Sequence, residues 1–127
     1  MFHGKVYIAG TSMITPLGEG VGKNFSAILK GETGVARTSG SRITQSALMA
    51  GIIPEEVYVN VRERLGERAM SLTRTEILTC GCLKSLIRSL PQELPTALGN
   101  GRTGIVVATA KGNISALEGR CGSGTFL

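Results

Sequence analysis

Three cysteines and a single histidine are the residues of this chain best suited to covalent or metal chemistry. Cys80 and Cys82 are separated by one residue, with no second cysteine pair and no histidine nearby, so the spacing does not predict a zinc site. Residues two apart on a helix point in different directions, which argues against a disulfide between them. An odd number of cysteines without a secretory signal indicates a reducing, cytoplasmic compartment. We therefore predict no metal and no cofactor.

A nucleophilic dyad would have to combine Cys121 with His3, because His3 is the only histidine. His3 lies at a chain terminus, where residues are poorly held. Cys80 and Cys82 fall within an apolar helical pattern, where a buried and inert thiol is expected. The sequence therefore predicts no catalytic residue.

The loop GTSMITPLGEGVG, residues 10–22, is the most glycine-rich stretch near the N-terminus. A dinucleotide-binding turn requires G-x-G-x-x-G directly between a strand and a helix, and this loop is too long and contains Pro16. The chain also has no G-x-x-x-x-G-K-[ST] motif. Nucleotide binding is therefore not expected, and the glycines are interpreted as turn residues.

The net charge of +5 comes from basic residues scattered along the chain. Scattered lysines and arginines are typical of solvated helix faces, and an acidic protein partner is the alternative. A nucleic-acid partner is not expected, because the bases do not form a continuous patch. No apolar stretch reaches the roughly 20 residues that cross a bilayer, so no membrane association is expected.

Hydrophobic periodicity predicts five elements. Strands are predicted at residues 5–10 and 48–53, and a continuous apolar run predicts a strand buried on both faces at 103–110. An amphipathic helix is predicted at 21–30, with Val21, Phe25, Ile28 and Leu29 on one face. A long helix is predicted at 68–90, and it starts later if Thr73 and Glu76 form a capping box. Residues 57–66 are ambiguous.

This order predicts an α/β fold with a small, mainly parallel sheet packed against helices. Val6, Ile8, Val106 and Val107 are expected on adjacent buried strands. The length corresponds to one domain, 1–127, with residues 119–127 expected to be a frayed tail.

The first third of the chain resembles the opening of β-ketoacyl-[acyl carrier protein] synthases. That family begins with a strand of the type V-x-[IV]-[TA]-G, a T/S-P-[LV]-G step, and a helix ending in L-x-x-G-x-[ST]-G-[IV]. The matching stretches here are VYIAG at 6–10, ITPLG at 14–18 and LKGETGV at 29–35. The strand RTGIVV at 102–107 is also placed as in the family, whereas residues 38–68 match weakly.

The resemblance implies the N-terminal portion of a thiolase-like fold, incomplete in this chain. It implies acyl transfer and decarboxylative condensation in fatty-acid or polyketide-like biosynthesis. The family uses a cysteine in an A-C-[SA]-[SAT]-G context and two histidines, none of which is matched here, and Cys121 comes too early. The resemblance therefore implies a chain that is inactive alone, with an acyl carrier protein as a partner.

By resemblance, the loop containing Thr109, Lys111 and Gly112 lines an acyl pocket near a subunit interface. Lys111 stands where elongating members have an apolar residue, so it either points to solvent or marks a different acyl substrate. A sheet lacking its later strands has an open edge, which predicts a homo-oligomer. Two alternatives stay open: a non-catalytic module that pairs with a complete synthase, and an unrelated small α/β binding domain.

Overall fold

The regular structure consists of three α-helices, one 3₁₀ helix and two small antiparallel sheets, within the residues described by this computed structural model, 5–39, 47–91, 101 and 103–109. In chain order the elements are β1 (Ile14–Thr15), β2 (Gly18–Glu19), α1 (Val21–Leu29), β3 (Val35–Thr38), β4 (Leu48–Gly51), α2 (Glu55–Leu65), the 3₁₀ helix (Gly66–Ser71) and α3 (Arg74–Ser89). The chain is thus a small mixed α/β structure.

Both sheets are antiparallel, so the prediction of a mainly parallel sheet is wrong. Strands β1 and β2 pair across a two-residue turn formed by Pro16 and Leu17, with Thr15 opposite Gly18. Strands β3 and β4 pair with Val35 opposite Gly51 and Thr38 opposite Leu48. Each strand pairs with its neighbour in sequence, and short antiparallel ladders of this kind need no crossover helix.

The strands predicted at residues 5–10 and 103–110 are not present within the described residues. Residues 5–10 and 103–109 carry no regular structure and are exposed, with Val6 at 96% and Val106 at 95% of full exposure. Ile8 and Val107 are exposed as well, so the predicted buried parallel pairing is wrong. An apolar run favours an extended backbone, but a strand forms only where a partner completes the ladder.

Helix α1 confirms the predicted helix and ends with a complete hydrogen-bonded stop. The amide of Gly31 donates to the carbonyl of Ile28 at 2.9 Å, and the amide of Glu32 donates to the carbonyl of Ala27 at 3.0 Å. Gly31 has a φ of 74°, the left-handed conformation that this stop requires. The helix buries Asn24 and Ala27, whereas its apolar face is exposed.

Helix α3 begins with the capping box that shortens the predicted 68–90 helix. The Thr73 hydroxyl accepts from the Glu76 amide, and the Glu76 carboxylate accepts from the Thr73 amide at 2.7 Å. These bonds satisfy amides that have no partner inside the helix. The predicted first turn, beginning at residue 68, is instead part of the 3₁₀ helix.

Helix α2 resolves the ambiguous segment. It starts after Pro54, carries Glu55 and Glu56 in its first turn, and ends at Leu65, just before Gly66, whose φ is 64°. Acidic residues at a helix N-terminus interact favourably with the helix dipole.

The core lies between α2, the 3₁₀ helix and α3. Val61, Ala69 and Ile77 are its buried members, and four partly buried side chains pack against it: Ile14, Tyr58, Leu65 and Leu72. Ile14 is the contribution of β1, so the first hairpin rests on the helical region.

Candidate functional site

The hairpin β1–β2 and the start of α1 coincide with the most specific part of the sequence motif, and Asn24 is at their centre. Its side chain is 2% exposed. Its amide nitrogen donates to the carbonyls of Gly18 at 3.0 Å and Gly20 at 2.8 Å, and the Thr15 hydroxyl donates to its amide oxygen. These bonds attach the turn of the hairpin to the start of α1. Both N–H groups and the oxygen of the Asn24 side-chain amide are used in them, so Asn24 has no free group for chemistry.

Pro16 occupies a position between two glycines that are distant in sequence. A Cβ atom added at Gly34 would lie 2.7 Å from Pro16 Cβ, and one added at Gly51 would lie 3.0 Å from Pro16 Cγ. Neither glycine has a positive φ, so the requirement at these two positions is for space. The ITPLG and LKGETGV stretches of the motif are therefore in direct contact.

A cluster around Glu19 joins the first hairpin to the helices. Arg64 Nη2 donates to both carboxylate oxygens of Glu19 at 2.7 Å, and the Ser85 hydroxyl donates to Oε1 at 3.1 Å. Lys84 Nζ donates to the Arg64 carbonyl at 2.6 Å, near the C-terminus of α2. The Arg64 and Glu19 side chains are 43% and 25% exposed, so this is a partly screened pair that positions elements and adds modest stability.

Cys82 is close to this cluster, but its environment disfavours the thiolate. Burial raises the pKa of the Cys82 thiol, and the negative charge of Glu19 raises it further, while hydrogen bonds from the Ser12 side chain and Ile14 backbone oppose the shift. A thiolate is the reactive form of cysteine. Cys80 and Cys82 both lie on α3 as free thiols, but they are half-buried and not fully buried as the apolar pattern predicted.

Only part of the predicted acyl-pocket loop lies within the described residues. Thr109 lies in the exposed, irregular segment 103–109. Lys111 and Gly112 lie outside the described residues, as do His3, Cys121 and the predicted tail 119–127. The acyl-pocket assignment therefore stays a prediction.

Two clefts on the described part of the molecule are small. The larger of these two holds about 180 Å³ and is lined by Leu17, Lys23, Ser26, Ala27, Lys30 and Glu32. Ligand pockets for small molecules are roughly 300–1,000 Å³, so this cleft would not enclose an acyl chain with its carrier arm. Across residues 5–39, 47–91, 101 and 103–109, no three histidine, cysteine or acidic side chains are grouped as metal ligands. No helix in those same ranges is long and apolar enough to cross a membrane.

Comparison with known proteins adds no family assignment. No family model, curated protein or solved structure matches the chain. The interpretation of function therefore depends on the motif residues and their contacts.

Sequence reasoning missed Asn24 and Glu19, two polar residues that connect the first hairpin to the helices. Asn24 carried a usable signal, because it is a polar residue between Val21 and Phe25 within a helical pattern. Glu19 carried none, since its partners Arg64 and Ser85 are 45 and 66 residues away.

Proposed function

We propose that this chain is the N-terminal part of a β-ketoacyl-[acyl carrier protein] synthase and supplies framework, not catalytic groups, to acyl transfer and decarboxylative condensation. The observation that carries the proposal is the contact of Pro16 with Gly34 and Gly51. A proline turn and glycines that pack against one another behave as one unit, so ITPLG and LKGETGV are linked by sterics and not only by order in the sequence. This linkage supports treating them as one motif.

The proposed reaction requires groups that this chain does not match. A cysteine thiolate attacks the acyl thioester of a carrier protein, an acyl–sulfur bond forms, and the carrier thiol leaves. Decarboxylation of a malonyl thioester then gives a carbanion that attacks the acyl group and releases the cysteine. Two histidines assist these steps in the family, and this sequence has only His3. Cys82 has a raised pKa, the opposite of an activated nucleophile.

A split-enzyme experiment tests the proposal. The purified chain is incubated with acyl- and malonyl-carrier protein, alone and together with a polypeptide of a β-ketoacyl synthase that lacks its N-terminal region but carries the cysteine and both histidines. Mass spectrometry detects the β-ketoacyl product. We expect product only when both polypeptides are present.

Gly34→Val is the informative variant, because its side chain would overlap Pro16. Gly22→Ala is the control, because a Cβ there meets nothing within 4 Å. We expect Gly34→Val to lose complementation and the control to keep it. A folded chain that never complements, or an acyl adduct formed on Cys121 by the chain alone, would contradict the proposal.

The same proposal implies an acyl carrier protein as partner, a homo-oligomeric state and a cytoplasmic location. A carrier-protein pull-down tests the first of these and separates the synthase interpretation from that of an unrelated α/β binding domain. A chain that captures a complete synthase but not the carrier protein would favour the non-catalytic module instead.

A further inference from the structure

The cleft of about 180 Å³ beside α1 is lined by charged groups that have no partners of their own. Its walls combine two lysines, one glutamate, one hydroxyl and two apolar side chains: Lys23, Lys30, Glu32, Ser26, Leu17 and Ala27. In the part of the chain that the structure describes, none of the three charged groups takes part in an ion pair. Two ammonium groups and one carboxylate give the lining a net charge of +1. The cleft therefore has positive charge that no neighbouring side chain neutralises.

The helical spacing places the donors of this cleft along one side of α1. Lys23 and Lys30 are seven residues apart, so they lie about two turns apart on the same side, with their Cα atoms separated by roughly 10 Å. Ser26 lies between them, about one turn after Lys23. A lysine ammonium group has three donors and a serine hydroxyl has one. Two positive charges and a neutral donor therefore line the same groove.

Lys23 is partly held in position by the first hairpin. A Cβ atom added at Gly18 would lie 2.8 Å from both Cε and Nζ of Lys23. Gly18 is buried and has a φ of 120°, a conformation that favours glycine, so the space above it is left to the lysine stem. The Lys23 side chain thus lies against the hairpin. A side chain that is already packed loses less freedom when it binds a ligand.

We propose that this cleft binds a short-chain dicarboxylate, with one carboxylate on Lys23 and the other on Lys30. The Ser26 hydroxyl donates a further hydrogen bond, and Leu17 and Ala27 contact the carbon chain between the two charges. The volume exceeds the roughly 10–15 Å³ that one water molecule needs and is below the roughly 300 Å³ of a drug-sized pocket, so the ligand is small. The inference does not depend on the proposed function.

The separation of the two lysines selects a ligand with two charges. A molecule with one carboxylate neutralises one ammonium group and leaves the other unpaired. A dicarboxylate contacts both, because each flexible lysine stem reaches inwards from its own end of the groove. Glu32 opposes any anion in the cleft and therefore weakens binding. Since the lysines are exposed and screened by water, we expect a dissociation constant on the order of 1 mM.

Nuclear magnetic resonance titration of the full chain with succinate tests the proposal, and butyrate is the matched ligand because it has the same carbon chain and one carboxylate fewer. Sodium chloride keeps the ionic strength constant, since screening alone changes the spectrum of a charged protein. We expect saturable shifts of the amides at 17–18 and 23–32 with succinate. Butyrate should bind at least fivefold more weakly.

Four variants locate the site. Lys23→Gln and Lys30→Gln should each weaken succinate at least threefold and remove most of the preference over butyrate, whereas Glu32→Gln should strengthen succinate binding. Arg88→Gln is the control, because it removes one positive charge from α3, where Arg88 lines the other cleft, and it should change nothing. The amide spectrum of each free variant verifies that it folds.

The proposal is overturned if succinate gives no saturable shifts at these amides, or if butyrate binds as tightly. An equal loss in Arg88→Gln would mean that the effect comes from total charge and not from this cleft, and it overturns the proposal as well. Inorganic phosphate provides the last comparison. Tighter binding of phosphate than of succinate would refute the assignment to a dicarboxylate, because phosphate carries its charges on one centre and cannot span the two lysines.

Discussion

Replacing Gly81 by alanine should push the two long helices apart. A Cβ atom at this position would lie 2.3 Å from Val61 Cγ1, and Val61 is completely buried. Carbon atoms in contact normally stand about 3.5–4.0 Å apart, so a gap of more than ~1 Å has to be opened. Val61 is β-branched and held in one rotamer on α2, so the helices, rather than the side chain, must move.

Two opposing effects set the magnitude. Overpacking a core costs roughly 1–3 kcal/mol. Alanine is more favourable than glycine inside a helix by about 1 kcal/mol. Because the overlap at Gly81 is severe and its neighbour cannot rotate away, we expect the steric cost to exceed the helical gain. The net loss in the free energy of unfolding should be about 1–2 kcal/mol, or a decrease in melting temperature of roughly 5–10 °C.

Thermal and urea unfolding followed by far-ultraviolet circular dichroism measure this effect. Gly22→Ala in α1 is the control, because its Cβ meets nothing within 4 Å and it should raise the melting temperature. In a Val61→Ala background the obstructing methyl is absent, so Gly81→Ala should become stabilising. If Gly81→Ala alone stabilises the protein as Gly22→Ala does, the close contact between α2 and α3 does not exist and the reasoning is refuted.

Three further expectations concern polar groups. Asn24→Ala should lower the free energy of unfolding by about 2–3 kcal/mol, because buried carbonyls lose their donor, whereas exposed Lys23→Ala should change it by less than about 0.5 kcal/mol in urea denaturation. Hydrogen bonds from the Thr73 backbone amide and hydroxyl lower the pKa of Glu76. The ionised Glu76 carboxylate therefore stabilises the fold above the unfolded glutamate pKa of about 4.3, and this stabilisation is lost as the pH falls through the lower pKa of the folded state. Thr73→Ala removes the hydroxyl but keeps the backbone amide that lowers this pKa most, so it should reduce that part of the acid dependence without abolishing it and cost about 1 kcal/mol at neutral pH; an unchanged acid profile in pH-dependent melting would contradict this. Burial raises the pKa of Cys82, so iodoacetamide should modify it more slowly than a free thiol at mildly alkaline pH, and faster labelling in peptide mapping would show that the thiol is not buried.

Helices were predictable where the signal was local. Apolar spacing predicted α1, and the Thr73–Glu76 pair gave the start of α3, because a capping box involves residues only three apart. The strands predicted at 5–10 and 103–110 are wrong because strand formation is not decided locally. Their composition favours an extended backbone, but pairing depends on distant residues that no local pattern specifies.

In the candidate site, too, features set by local sequence could be predicted, and features set by contacts between distant residues could not. Gly34 could be recognised as a turn residue and Gly51 as part of a strand, but their packing on Pro16 could not be predicted, because contact across 18 and 35 residues follows from the fold. The apolar face of α1 was predicted, yet its orientation was not, since Asn24 fixes which side meets the body. Of the predicted acyl-pocket residues, Thr109 is described, and Lys111 and Gly112 lie outside the described residues.

The Glu19 cluster has a consequence for the order in which this structure forms. The β1–β2 and β3–β4 pairings and the α2–α3 contact at Gly81 all join residues at most about 20 positions apart. Glu19 instead meets Arg64 and Ser85 across 45 and 66 residues, so closing these loops costs more chain entropy. We infer that the N-terminal hairpin and the helical pair each form early and that docking of Glu19 onto α2 and α3 is a late, slower event. We therefore expect the contacts of the Glu19 carboxylate with Arg64 and Ser85 to break first when the protein unfolds, which separates the N-terminal hairpin from α2 and α3.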